Sequence, residues 1–190
     1  MRTGALRPMW PGCPPATGRV TTWRMVDART DAAPLPDQLA ALATADADVL
    51  LVDVAGPADM QCWGAVLAIA ARHWGIGAVL VNGAVRDVQE LAALSYPTYA
   101  RGVHPARAKG RLRVAATGVD VHLGGAAVHE GATVVIDASG AVFFPATHVE
   151  RVLAVARAHA DDERRMLDRV LAGEDPRAVF LGESRNRGVR

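Results

Sequence analysis

The chain is 190 residues long, 51% apolar and 22% charged, with a formal net charge of +1. That length supports one domain with a proper core and hardly two, and the composition is that of a globular protein. Charges of both signs are scattered along most of the chain, which excludes a broad electrostatic footprint for nucleic acid or for an anionic membrane surface.

Residues 1–17 are rich in Pro and Gly and read as an extended arm; they contain no apolar core of a secretory signal. The alternation of Val20, Thr22 and Arg24 in "GRVTTWRM" predicts a strand. A short helix, "DQLAALATA", follows Pro36. "VLLVDV" (Val49–Val54) is a continuous apolar run, as expected of a strand covered on both faces. The break "AGP" at 55–57 leads into a helix within "ADMQCWGAVLAIAARHW", whose buried face is expected at Val66, Ile69, Ala70 and His73. "GIG" at 75–77 ends that helix, and "AVLVNG" is a second buried strand expected to stop at a turn on Asn82-Gly83. Strand, helix and strand at this spacing make a βαβ crossover.

Beyond Asp87, "DVQELAAL" predicts a short helix, and from Tyr96 the chain turns mostly to strands. These are expected at "PTYARG", "RLRVAA", "VDVHLG", "AAVHEG", "TVVIDA" and "AVFFPA", with Gly and Asp at the bends. "THVE" (Thr147–Glu150) has the pattern of a capping box. It opens an amphipathic helix through Val152, Leu153, Val155, Met166, Leu167 and Val170 that ends near Gly173. The expected organisation is one α/β domain over 1–173, with an antiparallel-rich second half, and a C-terminal tail over 174–190. The longest apolar region, "GAVLAIAARHWGIGAVLV", is interrupted by Arg72, His73 and glycines and does not read as a membrane span. Cys13 and Cys62 have no C-x-x-C or metal-ligand spacing and read as reduced thiols of a cytoplasmic protein.

The residues with chemistry sit at one edge of the crossover. In a βαβ unit the helix begins where the strands end, which is where ligands bind in such sheets. The start of the Gly64 helix and the segment after Val81 therefore share one edge. A helix N-terminus offers backbone N–H groups and partial positive charge to an anion. Arg86 adds a planar, two-pronged grip on the same anion. Asp87, one residue on, is a hard oxygen ligand suited to Mg²⁺. Together they describe a site for a small 2-oxo acid, its carboxylate on Arg86 and its keto oxygen toward a metal that acts as a Lewis acid. The plain alternative is a surface ion pair after a turn, worth under about 1 kcal/mol.

Several of these stretches, "DVLLVDVAG…WGAVLAIAARHWGIGAVLVNGAVRD" and "GGAAVHEGATVVIDASGAVFFP", resemble the RraA-like family. That family holds regulators of ribonuclease activity together with 4-hydroxy-4-methyl-2-oxoglutarate aldolases that also decarboxylate oxaloacetate. The resemblance runs from about Arg7 to the C-terminal helix. It implies a swivelling β/β/α-type fold, a homotrimer or a dimer of trimers, and sites between subunits. It also implies that Arg86 holds the pyruvate carboxylate, that Asp87 anchors Mg²⁺ or Mn²⁺, and that backbone amides of Gly64, Ala65, Val66 and Leu67 cradle the substrate. The chain departs from the aldolase pattern at Ala65, Asn82, Ala132 and Ala138, where acids are usual. Two functions follow: a metal-dependent lyase that releases pyruvate, or a non-catalytic regulator that binds a protein such as a ribonuclease.

Other motifs are weaker. "GIG" and "GGAAVHEG" read as turns, since neither has the Gly-Lys-Ser/Thr of a nucleotide loop. The histidines show no metal spacing, and His122 and His129 read as ordinary strand positions. Glu90, three residues after Asp87, and the cluster Asp161, Asp162 and Glu163 are candidates to orient a metal-bound water, or simply solvated charges.

Overall fold

The computed structural model describes residues 2–3, 6–28, 38–54, 60–108 and 110–184. The chain divides into two compact units, 1–146 and 147–190. In the first, strands β1 (Arg2–Thr3), β2 (Arg7–Pro8) and β3 (Ala16–Asp27) precede α1 (Gln38–Ala43) and β4 (Val49–Val54). Then come β5 (Gln61–Trp63), α2 (Ala65–His73), β6 (Ala78–Val85), α3 (Val88–Ala93) and β7 (Thr98–Val103). The remainder is β8 (Leu112–Thr117), β9 (Val121–Leu123), β10 (Ala126–Val128), β11 (Thr133–Asp137) and β12 (Gly140–Phe144).

Strands β3, β4, β6 and β7 lie side by side and parallel, in register Val20↔Val49, Val49↔Ala78 and Val79↔Thr98. The expected crossover, β4–α2–β6, is the middle one of three in a row, flanked by β3–α1–β4 and β6–α3–β7. The second half is antiparallel: β11 pairs the start of β3 and β8 pairs its end, while β12 pairs β11. The α/β class with an antiparallel-rich second half is thus observed.

Alternation of side chains along a strand explains why the first four residues of "VLLVDV" are all apolar. Leu50 and Val52 point into one core, with Trp23, Trp63 and Tyr96, on the side of the helices. Val49 and Leu51 point into the other, with Tyr99, Val134 and Ile136. β6 divides likewise, Val79 and Val81 to the first and Ala78 and Leu80 to the second. A strand serving two cores has no polar face to show.

Four local expectations are corrected. The strand expected to stop at Asn82-Gly83 continues to Val85. It continues because "QCW", just ahead of the helix expected from Gly64, is the short strand β5, which pairs with β6 beyond the end of β4 at Gln61↔Ala84 and Trp63↔Val85. Gly83 is there for closeness rather than for a turn: a Cβ would lie 2.7 Å from Val54 Cγ2. Second, α2 buries the face opposite to the one expected. Val66 and Ile69 are 67% and 57% exposed and His73 is exposed, while Ala68 and Ala71 are fully buried and only Ala70 of the expected set packs on the core. The helix seats through small side chains that let its backbone approach the sheet. Its end is as expected: Gly75 takes φ 86°, and the N–H groups of Gly75 and Ile76 bond to Arg72 O and Ala71 O at 3.1 and 2.9 Å, a Schellman closure. The "AGP" break lies outside the described residues.

The second unit carries the remaining two corrections. Its long helix, α4 (Val149–Leu171), is preceded by a 3-10 turn over Ala146–His148. Thr147 sits inside that turn and cannot adopt the extended backbone of a cap, so His148 is the N-cap and no side chain bonds there. The helix closes before Gly173, at φ 95°, with Glu174 N–H on Arg169 O at 3.1 Å. Within the stretch expected as a tail lies α5 (Pro176–Ser184), which packs on α4. Asp175 caps it by accepting the Arg177 N–H at 3.0 Å, and Pro176 occupies the first position, where its missing N–H is harmless. Among the described residues no helix is long and apolar enough to cross a membrane.

Two measurements check this packing. Ala68→Leu is expected to lower stability by about 1–3 kcal/mol in urea titrations, because the α2–sheet contact has no room for a larger side chain. Burial pushes the Cys62 thiol up to about 12. At pH 8 it should therefore resist Ellman's reagent in the native protein and react promptly in urea.

Candidate functional site

Arg86 and Asp87 form the two-residue link between β6 and α3, and the chain is held tightly on both sides of them. The Arg86 N–H donates to Trp63 O at 2.9 Å, and the His104 N–H to Val85 O at 2.9 Å. Asp87 takes φ 56°, ψ 41°, a left-handed conformation uncommon outside glycine that Asp tolerates better than most residues. That backbone turns its carboxylate back toward α2. Asp87 Oδ2 accepts the Ala65 N–H, the first of the helix, at 3.2 Å. Negative charge is favourable at that end of a helix dipole.

Gly64 makes the contact possible. It is the N-cap of α2, in extended backbone that any residue adopts. Yet a Cβ here would stand 2.6 Å from Asp87 Oδ2 and 3.1 Å from Arg86 Cγ. The glycine is therefore required by its neighbours and not by its own dihedrals.

Arg86 Nε lies 3.3 Å from Asp87 Oδ2, within ion-pair range but not aligned as a hydrogen bond, and this buried atom has no hydrogen-bond partner among the described residues. The side chains are 34% and 28% exposed. They line a cleft of about 540 Å³, together with Gly64, Val66 and Leu67. The first-turn N–H groups of Val66 and Leu67 have no intrahelical acceptor. A guanidinium with unmet donors beside such a helix end is equipped to receive a carboxylate.

The six expected site residues, Gly64, Ala65, Val66, Leu67, Arg86 and Asp87, thus come together at the start of α2. Ala65 contributes through its N–H, which Asp87 occupies. Glu90 is exposed on α3 and does not line the cleft. Asp161, Asp162 and Glu163 lie on α4, in the second unit, where Asp162 pairs with Arg165. His129 pairs with Asp120 at 2.7 Å on an exposed surface. Asn82, in place of the usual acid, donates from Nδ2 to Asp53 Oδ1 at 2.6 Å and to His122 O at 3.1 Å. Among the described residues no group of three or more His, Cys, Asp or Glu side chains is placed to hold a metal.

Sequence reasoning missed part of the lining. Gln61, Arg107 and Arg113 also face this cleft. Gln61 lies on β5, a strand that no local pattern announces. Arg107 arrives because the Gln61 N–H bonds to Ala106 O at 2.9 Å and the two segments form a parallel bridge, Gln61↔Arg107. The basic stretch "ARAKGRLR" was the available signal.

The RraA-like family, described as Aldolase/RraA, matches residues 1–143. A Halalkalibacterium halodurans protein named "Putative 4-hydroxy-4-methyl-2-oxoglutarate aldolase" is 32% identical over 119 residues, covering 62% of this chain and 56% of that protein. An uncharacterized protein of Methanocaldococcus jannaschii is 29% identical over 125 residues, covering 66% and 60%. The chain thus spans less than two thirds of the length of these relatives. Among solved structures, Streptomyces coelicolor RraAS2, described as an unusual member of the RNase ES inhibitor RraA protein family, superposes with a TM-score of 0.74 at 27% identity. That match covers 86% of this chain and 81% of the other. An uncharacterized Pseudomonas syringae protein shares the fold at a TM-score of 0.83 and 22% identity, over 95% and 82%.

The crowding at Gly64 is testable without any ligand. Gly64→Ala should cost about 1–3 kcal/mol by displacing the Asp87 carboxylate. In the Gly64→Ala, Asp87→Ala double variant most of that added cost should vanish, giving a clear coupling energy in urea titrations.

Proposed function

From the premise that this chain belongs to the RraA-like family, we propose that it is a divalent-metal-dependent lyase acting on small 2-oxo acids. The type is that of 4-hydroxy-4-methyl-2-oxoglutarate aldolase and oxaloacetate decarboxylase, with pyruvate released. The observation that carries the reading is the Arg86–Asp87 pair, fixed in a cleft at the start of α2 against a glycine that leaves it room.

The donor set suits one kind of metal. Asp87 uses Oδ2 for the helix and for Arg86, while its Oδ1 accepts no hydrogen bond from the described residues. One carboxylate is too few for a closed zinc or calcium site, but Mg²⁺ keeps most of its waters and is commonly held by one or two carboxylates. Asp87 would hold Mg²⁺ or Mn²⁺, which when bound supplies Lewis acidity toward a 2-oxo oxygen. Arg86 would bind the substrate carboxylate, with the N–H groups of Val66 and Leu67 orienting it at the positive end of α2.

Cleaving the C3–C4 bond of a 4-hydroxy-2-oxo acid requires removal of the C4 hydroxyl proton and leaves the enolate of pyruvate. Loss of CO₂ from oxaloacetate leaves the same enolate without a base. Among the described residues, Asp87 is the one carboxylate lining the cleft, so decarboxylation is the reaction these residues support more directly. The assembly we propose is a homotrimer or a dimer of trimers in the cytoplasm. The exposed Val66 and Ile69, beside the cleft on α2, are side chains that a neighbouring subunit would cover.

The scarcity of acids in the cleft among the described residues favours the competing reading, a non-catalytic regulator that binds a protein such as a ribonuclease. Pyruvate formation from oxaloacetate, with Mg²⁺ or Mn²⁺ and with chelator, separates the two. The expected result is metal-dependent turnover that falls at least about a hundredfold in Asp87→Ala. Turnover no faster than the free metal ion gives, from well-folded protein, would leave the regulator.

A further inference from the structure

Two glutamines line the cleft, Gln38 and Gln61, and their amides are used differently. Gln38 donates from Nε2 to Cys62 O at 3.0 Å, inside the protein. Gln61 is only 8% exposed, and its side chain makes no hydrogen bond among the described residues. The amide is unpartnered yet not sealed off, in contrast to Trp63 Nε1, so the little surface that Gln61 keeps includes the amide and faces the cleft it lines. The residues on either side, Met60, Cys62 and Trp63, are buried in the helix-side core. An apolar side chain at position 61 would therefore serve the fold at least as well, because a buried amide without a partner is destabilising. The backbone nonetheless holds Gln61 firmly. It pairs with Ala84, two residues ahead of Arg86, and its N–H donates to Ala106 O at 2.9 Å. A fixed amide with no protein partner, in the same lining as a guanidinium whose Nε is also unmet, calls for a partner that arrives with the ligand.

We infer that Gln61 is a substrate-positioning residue of the cleft, its Nε2 donating a hydrogen bond to an oxygen of the bound acid. This rests on the 2-oxo acid reading of the site and deepens it. Arg86 supplies the charge that holds the anion; Gln61 supplies a neutral donor that fixes how the anion lies. A primary amide neither gains nor loses a proton in the working range of pH, so Gln61 orients the ligand and moves no proton. Because the acceptor is charged, the bond is of the stronger kind. Because the strand already fixes the amide, little further ordering accompanies binding.

The test compares binding with stability in Gln61→Met, which keeps an unbranched side chain of similar length and removes the amide. In calorimetric titration with pyruvate, Mg²⁺ present, the variant is expected to bind about tenfold more weakly than the native protein. Its urea midpoint should be unchanged or higher, which a glutamine serving the fold would not allow. A second measurement needs no variant. The chain has three glutamines, so the Gln61 side-chain NH₂ signal is readily followed by NMR in the native protein, and saturating pyruvate should shift it. Unchanged pyruvate affinity in Gln61→Met, a lowered urea midpoint, or an NH₂ signal indifferent to pyruvate overturns the inference. The lyase reading then still stands if the native protein binds pyruvate and Arg86→Gln does not. Absence of pyruvate binding to the native protein overturns both.

Discussion

The Asp87 carboxylate resting on the first N–H of α2 joins the two elements on which the site depends, the end of β6 and the start of a crossover helix. Each partner alone would be unremarkable: a helix end with an unmet donor, and an aspartate in a left-handed turn. Held together, they fix where the neighbouring guanidinium stands, because Arg86 precedes Asp87 by one residue and its own N–H is pinned to Trp63 O. The contact is modest in energy, about 0.3–1 kcal/mol for a carboxylate at a helix N-terminus. Its geometric consequence is larger, since the absence of a side chain at Gly64 lets backbone, carboxylate and guanidinium share a space that one methyl group would fill.

How much of this was legible in the sequence differs from element to element. Strands buried on both faces were readable, since β4 and β6 must be apolar on successive residues to serve two cores. The placing of Arg86 and Asp87 beside the Gly64 helix followed from crossover topology. What failed had a common cause in pairing or packing that no local pattern encodes. Three residues, "QCW", become strand because β6 outruns β4 and offers them an edge. The α2 face inverted because the sheet selects the alanines for close approach and leaves the larger side chains outward. In the second unit the signal is in the sequence itself: Asp175-Pro176 is a cap followed by a first-position proline.

The site itself was half legible. Its anionic and cationic centres lie next to each other in sequence, so a dipeptide and a topology were enough to find them. Arg107 belongs to the cleft only through a long-range bridge to Gln61, and that bridge depends on the strand missed above. One unrecognised three-residue element thus hid both the continuation of β6 and the second source of positive charge.

The long strand β3 has a consequence for how the chain acquires its shape. Its first residues, Ala16–Arg19, pair with Thr133–Ile136, while its later ones pair with β4 in the same part of the sequence. During synthesis the parallel layer and its helix-side core can assemble early, from contacts that are near in sequence. The opposite core has to wait for Val134 and Ile136, which close it from across most of the first unit. Until they arrive, the far side of the sheet presents Val20, Leu51 and Leu80 to solvent as an unfinished apolar surface. Such late, non-local closure slows folding and leaves the nascent chain exposed to aggregation at that face.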